Sequence, residues 1–328
     1  MSTSQPIAAH ISPDGSSLTW ALPSRAPLDA SEIDQGPTRA LLHHVVTGER
    51  LHEGTVQIDR VHGRAHLRIA SVITPPMVAK VTIGDQHFSI RQRRISLEGL
   101  SNFRDLGGYV GTQLTLPWGR YYRSENLALV SRGTWSTLID LGLSRIIDLR
   151  TPTERALAPT AVPQEFASKL EIIEVPLRGR IKGFDDALEA IGQGDLNIVE
   201  DADMAAMYTD LLEHHLQDLR RVISLLEDAS DSVTLFHCTA GKDRTGIVAA
   251  LLQYRAGVSF TDIVEDYALS NLYRTPLRLA QLREYFCSHG IEPRQVRPYL
   301  RAPVVALQSA FQWFEAHAPD LLSNRSQP

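Results

Sequence analysis

Cysteine is nearly absent: only Cys238 and Cys287 occur in 328 residues. Two thiols cannot build a disulfide framework, and their scarcity suits a reducing compartment. No apolar run reaches the roughly 18 residues that a membrane-spanning helix requires, so no stable membrane insertion is expected. The opening residues, Met1-Ser2-Thr3-Ser4-Gln5-Pro6, lack the charged start and apolar stretch of a secretory signal, which makes a cytoplasmic location the expectation. An excess of positive charge is missing too. Lys and Arg number 33 against 38 Asp and Glu, a net charge of −5, which gives no electrostatic footprint for nucleic acid. Gly (21) and Pro (18) stay at ordinary levels beside 43% apolar residues, which excludes a disordered, collagenous or coiled-coil chain. What remains is a globular chain about two domains long.

The first part reads as β structure. Ser17–Leu22 is apolar and β-rich after a turn signal at Ser12-Pro13-Asp14-Gly15. Thr55–Asp59 and Ala65–Ala70 alternate apolar and polar residues across Val61-His62-Gly63-Arg64. Met77–Ile83 and His87–Ile90 do the same across Gly84-Asp85. Short alternating strands about ten residues apart predict a small all-β, sandwich-like domain over residues 1–95, with a protein partner as its expected ligand.

Strands and helices interleave from Ile95 onward. Arg145–Leu149, Glu171–Val175 and Ser232–Phe236 read as buried strands. Helical periodicity runs over Ala202–Asp228, Thr245–Tyr254, Thr261–Leu272, Pro276–Cys287 and Ala302–Ala318. This order predicts an α/β domain over 96–328, with a mostly parallel central sheet flanked by helices. The Gly- and Asp-rich stretch of about 178–203 has weak periodicity and reads as a lid or insertion. A polar tail, Ser323–Pro328, closes the chain.

The chemistry concentrates in His237-Cys238-Thr239-Ala240-Gly241-Lys242-Asp243-Arg244-Thr245-Gly246. This decamer follows an apolar strand and opens an apolar helix. Such a loop turns successive N–H groups inward, and the helix dipole adds partial positive charge, so the site favours a phosphate dianion and a cysteine thiolate. The phosphate-binding candidates are Thr239, Ala240, Gly241, Lys242, Asp243 and Arg244. Arg244, six residues after Cys238, can grip an anion with two parallel hydrogen bonds. Gly241 lets the backbone turn close to the ligand, and Thr245 brings a hydroxyl near the sulfur. A lone cysteine in a strand-to-helix turn is usually an inert core residue; here His, Gly, Arg, Thr and Gly all fall at useful offsets. The nucleotide-binding pattern Gly-x4-Gly-Lys-Ser/Thr is absent, because Asp243 follows Gly241-Lys242. His43-His44 and His214-His215 are adjacent pairs rather than i,i+4 pairs, so no metal or other cofactor is expected.

The decamer resembles the Cys-x5-Arg loop of cysteine-dependent phosphatases, and more narrowly that of the bacterial atypical tyrosine and dual-specificity phosphatases of the secreted mycobacterial tyrosine phosphatase B type. Asn102–Tyr109, Tyr122-Arg123-Ser124, Ile147-Asp148-Leu149-Arg150 and Asp266–Asn271 resemble further motifs of that family, in the same order. The resemblance covers about residues 95–290. It implies a phosphomonoesterase acting on phosphotyrosine-type substrates, with dual specificity within its range, through a phosphocysteine on Cys238. Arg244 and the loop amides would hold the phosphoryl oxygens, and His237 would lower the thiol pKa from behind the loop. Arg104 and Asp105 would brace the loop, with Arg150 beside Asp148 in support. Two carboxylates compete for general acid. Asp148 sits at a strand end where α/β sites form, and Asp243 lies inside the loop; Asp148 is equally readable as a structural partner of Arg104 or Arg150. No Trp-Pro-Asp acid loop occurs. Lys242 resembles a loop lysine of phosphatases that accept phosphoinositides. The open alternatives are therefore a phosphoinositide phosphatase and a catalytically weak phosphate-binding module.

Overall fold

The computed structural model describes residues 7–11, 17–21, 39–44, 50–59, 64–68, 77–83, 86–109, 111–181, 184–195, 197–228 and 232–323. Seven strands come first: β1 (Ile7–Ile11), β2 (Ser17–Ala21), β3 (Arg39–His44), β4 (Arg50–Asp59), β5 (Arg64–Arg68), β6 (Met77–Ile83) and β7 (Gln86–Gln92). They follow the order β1-β2-β5-β4-β3-β6-β7 with antiparallel neighbours, and β1 closes on β7 in parallel, Ile7 opposite Ile90 and Ala9 opposite Gln92. The all-β character is as expected, but one sheet closes into a barrel where two stacked sheets were expected. Closure leaves no sheet edge open to pairing with another chain. Alternation sets the faces. Leu18 of β2, Leu67 of β5 and Val56 of β4 lie side by side across three strands and are buried, whereas Thr55 and Gln57 are exposed. The expected turns at Ser12–Gly15, 61–63 and Gly84-Asp85 lie outside the described residues, as do Leu22, 69–70 and most of the polar tail.

Five strands form the second sheet: β8 (Arg104–Asp105), β9 (Tyr121–Ser124), β10 (Leu143–Asp148), β11 (Glu171–Glu174) and β12 (Val233–His237). The order is β11-β10-β12-β9-β8, parallel throughout except for β8. Ten helices accompany it among the described residues: α1 (Arg132–Asp140), α2 (Pro152–Leu157), α3 (Gln164–Ala167), α4 (Phe184–Gln193), α5 (Asp201–Asp228), α6 (Asp243–Arg255), α7 (Phe260–Tyr273), α8 (Thr275–His289), α9 (Arg297–Leu300) and α10 (Val304–His317). Successive strand residues part between two cores. Ile146 and Leu235 pack with Trp135, Phe103 and Tyr122 on one face. Ile147 and Phe236 pack with α5, α6 and α10 on the other.

Register decides where chemistry can gather. His237 pairs with Ser124 on one side and with Asp148 on the other. Three parallel strands therefore end level, and the residues that follow them, Asn126, Glu154 and Cys238, emerge along one edge of the sheet.

Two expected elements differ in detail. The periodic run ending at Asp228 is one helix by hydrogen bonding, but its backbone leaves the helical region at His215 (φ −126°, ψ 24°), where the ring reaches the Arg178 carbonyl. The stretch 178–203 is no bare loop. It contains α4, and Ile191 and Val199 pack against Leu282, Phe286, Val296 and Leu300.

Candidate active site

The segment Thr239–Lys242 between β12 and α6 is held by its carbonyl oxygens. The Asn126 backbone N–H and side-chain Nδ2 both donate to the Thr239 carbonyl, at 3.2 and 3.1 Å. Asn102 Nδ2 donates to the Gly241 carbonyl at 3.0 Å and more weakly to that of Ala240. Arg123 Nη2 donates to the Gly241 carbonyl at 3.0 Å. A peptide unit carries its C=O and N–H on opposite sides. Tying the carbonyls outward therefore turns the amides toward the concave side, which makes an anion cradle. Gly241 has φ +64°, and a Cβ there would stand 2.3 Å from the Ser124 backbone; both the conformation and the space demand glycine.

The ties are themselves tied. Arg104 Nη1 donates to Asn102 Oδ1 at 2.5 Å, its Nε to Asp266 Oδ1 at 3.3 Å, and its Nη2 to the Asp266 carbonyl and Ser270 Oγ. Arg123 Nη1 donates to Asp266 Oδ2 at 2.9 Å. All three charged side chains are fully buried. Burial pushes the Asp266 carboxyl up and the two arginines more than reverse it, so it is held below its ordinary value. Burial and the Arg104 charge bring Arg123 down to about 10.

Cys238 is buried at the base of the cradle. Arg123 and Arg244 both act on it electrostatically. Arg244 is fork-bound to Glu154, Nη1 to Oε2 at 2.7 Å and Nη2 to Oε1 at 2.5 Å. Its Nη1 also meets the carbonyls of Leu149 and Leu177, and its Nε takes no acceptor among the described residues. Thr239 Oγ1 donates to Glu154 Oε1 as well. Burial would raise the Glu154 carboxyl, but these donors, Arg244 first, bring it down to about 2.

The structure sorts the other expected residues. Asp148 is buried and receives Arg150 through the backbone N–H, Nε and Nη2, at 3.0, 2.9 and 2.7 Å. Burial alone would raise its pKa; the Arg150 hydrogen bonds hold it below the usual carboxylate range. That geometry fits a structural partner of Arg150 and argues against Asp148 as a proton donor. Asp243 opens α6, a quarter exposed, with Tyr208 and Lys242 on its Oδ1. Lys242 is buried, and its Nζ goes to Asp243 and, at 2.5 Å, to the Arg301 carbonyl. Its charge is turned into the fold rather than toward a ligand. Burial drives His237 down to about 4, so the ring is neutral and brings no cation to the thiol. Thr245 Oγ1 is buried without a hydrogen-bond partner. Arg104 holds Asn102, which in turn ties the Gly241 carbonyl. Asp105 faces elsewhere: it accepts from the Gly107 and Gly119 N–H groups and pairs with Arg91 of the barrel strand β7 at 3.5 Å.

Sequence reasoning missed Glu154, Asn126 and Tyr208. Glu154 did leave a signal, Thr151-x-x-Glu154, which forms a capping box at the start of α2. The cap explains the residue locally and conceals its second partner, Arg244.

Residues 95–320 match the tyrosine phosphatase family. The chain belongs to that family, and with it to the hydrolases. It is 28% identical over 254 residues to a Cupriavidus necator protein provisionally named a tyrosine-protein phosphatase, covering 77% of this chain and 88% of that protein. It is 30% identical over 195 residues to the triple specificity protein phosphatase PtpB of Mycobacterium tuberculosis, covering 53% and 68%. Among solved structures it is similar to the Siw14 catalytic core, with 17% identity, a TM-score of 0.36, and 70% and 92% of the two chains covered.

Proposed function

We propose that the chain hydrolyses phosphotyrosine-type monoesters by way of a phosphocysteine on Cys238. Cys238 Sγ attacks phosphorus while the bond to the ester oxygen breaks, and Asp243 gives that oxygen a proton. Water then attacks phosphorus, Asp243 takes back a proton, the S–P bond breaks, and inorganic phosphate leaves. The loop amides and Arg244 hold the equatorial oxygens through both steps, so the barrier falls chiefly by positioning and charge. The observation that carries this reading is the outward tethering of the loop carbonyls around Cys238, with Arg244 clamped beside it by Glu154. Asp243 is preferred to Asp148 as acid because its Oδ2 is uncommitted, whereas Arg150 occupies Asp148. The relative named for triple specificity supports a range beyond tyrosine esters, while the engagement of Lys242 with Arg301 removes the main residue-level argument for a phosphoinositide preference. The barrel strands end at Gln92 and the family match begins at residue 95, which supports a division of the chain near that point. An enzyme of this kind works in a reducing compartment such as the cytoplasm, where Cys238 stays a thiol.

Rapid acid quench during turnover of nitrophenyl phosphate should trap one phosphoryl group per wild-type chain. Cys238→Ser should trap none and turn over at less than about a hundredth of the wild-type rate, while tungstate still raises its melting temperature. Turnover above that level would remove Cys238 from the nucleophile's place.

A further inference from the structure

Asp243 Oδ1 takes two donors: Lys242 Nζ at 2.7 Å and the Tyr208 hydroxyl at 2.8 Å. Its Oδ2 takes none among the described residues. Tyr208 sits two turns into α5 and is buried, and its hydroxyl lies 2.6 Å from that of Tyr267 on α7, also buried. A phenol has one proton. Tyr208 gives its proton to a carboxylate that can only accept, so at the second contact Tyr267 must be the donor. The chain therefore runs one way, Tyr267 to Tyr208 to Asp243.

Sequence features that the phosphate cradle leaves unexplained fall into place here. Gly246 lies inside α6, where glycine costs about 1 kcal/mol relative to alanine. A Cβ at that position would stand 2.8 Å from the Tyr267 ring. Glycine lets the ring lie against α6 and brings its hydroxyl to Tyr208. The Asp266–Asn271 motif is absorbed as well. Asp266 and Ser270 serve the loop braces, and Tyr267, between them on the same helix, serves the carboxylate.

We propose that Tyr208, oriented by Tyr267, is a positioning residue for Asp243, which fixes the carboxyl plane so that Oδ2 faces the leaving-group oxygen. This rests on Asp243 being the acid. Two donors on Oδ1 leave Oδ2 as the oxygen that carries the transferred proton. The charged and titratable groups that act on the carboxylate are Lys242 and Arg244 from the loop and α6, Tyr208 from α5 and Tyr267 from α7, while Asp201 of α5 and Arg123 of β9 face Tyr267. Burial keeps both tyrosines well above their ordinary pKa, so neither titrates in the working range. Removing the Tyr208 hydroxyl takes a hydrogen bond from the ionised carboxylate, which raises the affinity of Asp243 for its proton and frees its plane.

The experiment measures kcat against pH on nitrophenyl phosphate, a good leaving group, and phenyl phosphate, a poor one, for wild type, Tyr208→Phe, Tyr267→Phe and Asp243→Asn. In Tyr208→Phe the basic limb of kcat should move up by about one pH unit. Phenyl phosphate should slow about tenfold more than nitrophenyl phosphate. Tyr267→Phe should shift both readouts in the same direction by less, and it carries the test if Tyr208→Phe fails to fold. Equal slowing of both esters with an unmoved pH limb would make Tyr208 merely structural and overturn the proposal. If Asp243→Asn itself slows both esters equally, the acid assignment fails and the proposal fails with it. If only the tyrosine variants are insensitive to the leaving group, Asp243 stands and the positioning chain alone is lost.

Discussion

Two arginine–carboxylate centres flank the catalytic loop, and they differ in what they leave over. In one, Arg104 and Arg123 meet Asp266 with every side chain fully buried; each nitrogen of Arg104 has an acceptor, and the one donor left over, Arg123 Nε, is sealed inside the fold. In the other, Arg244 meets Glu154 in a partly open place, at 17% and 29% side-chain exposure, with no acceptor on Nε among the described residues. The chemistry is the same fork of donors on a carboxylate. A cation shut into the interior can only brace. One with a spare edge facing an opening can take a ligand while its far side stays fixed.

Substitutions can break that contrast. The largest effect is expected on the buried side. Asp266→Ala leaves two buried guanidinium groups uncompensated and should cost about 3–5 kcal/mol of stability, read from the denaturant midpoint. A loss under about 1 kcal/mol would mean that the bracing centre is dispensable.

Glu154→Gln keeps the shape of the open centre and removes its charge. Stability should fall by about 1 kcal/mol, since the pair is partly exposed. The kcat/KM should fall about tenfold as Arg244 loses its anchor. The pH signature sharpens the test. The Glu154 pKa is depressed from 4.5 to about 2, so its stabilisation is present above pH 4.5 and disappears as the pH falls toward 2. The difference in melting temperature between wild type and Glu154→Gln should narrow across that window. A constant difference would mean that charge is not what the glutamate supplies.

The smallest effect concerns His237, behind the loop. Its folded pKa lies near 4, below the ordinary 6.5, so between those values the unfolded chain binds the extra proton. Wild-type stability should therefore rise from pH 4 to pH 6.5, and His237→Gln should flatten part of that rise. A slope unchanged by the substitution would mean that the histidine is not buried neutral.

The catalytic loop was legible in the sequence because its chemistry is contiguous. Ten adjacent residues carry the nucleophile, the turn and the arginine, and a strand and a helix frame them. Glu154, Asn126 and Tyr208 were not legible, because their roles depend on which strand ends lie level and which helices face α6. Asp148 was legible with two readings that only the fold weighs against each other. Its place at a strand end suggested proton transfer, but Arg150, two residues on, folds back onto it. Five of the barrel's seven strands were legible as strands, whereas β1, β3 and the closure were not. Alternation is the same in a sandwich, and closure rests on β1 meeting β7 some eighty residues later.

The cradle's tethers also set an order of events in time. Asn126 reaches Thr239 across 113 positions of chain, Arg123 reaches Gly241 across 118, and Asn102 reaches it across 139. Contacts of such separation carry the full loop-closure cost before they return anything, and they form late. On the ribosome, the segment Asn102–Asn126 waits for the catalytic loop to be made. It then waits for α7, whose Asp266 locks both arginines. A nascent chain halted before α7 would hold the nucleophile, the turn and Arg244, yet lack the frame that turns the loop amides toward phosphate. The frame around Cys238 is thus complete only once α7 has been made, and until then the loop carries its residues without the contacts that orient it.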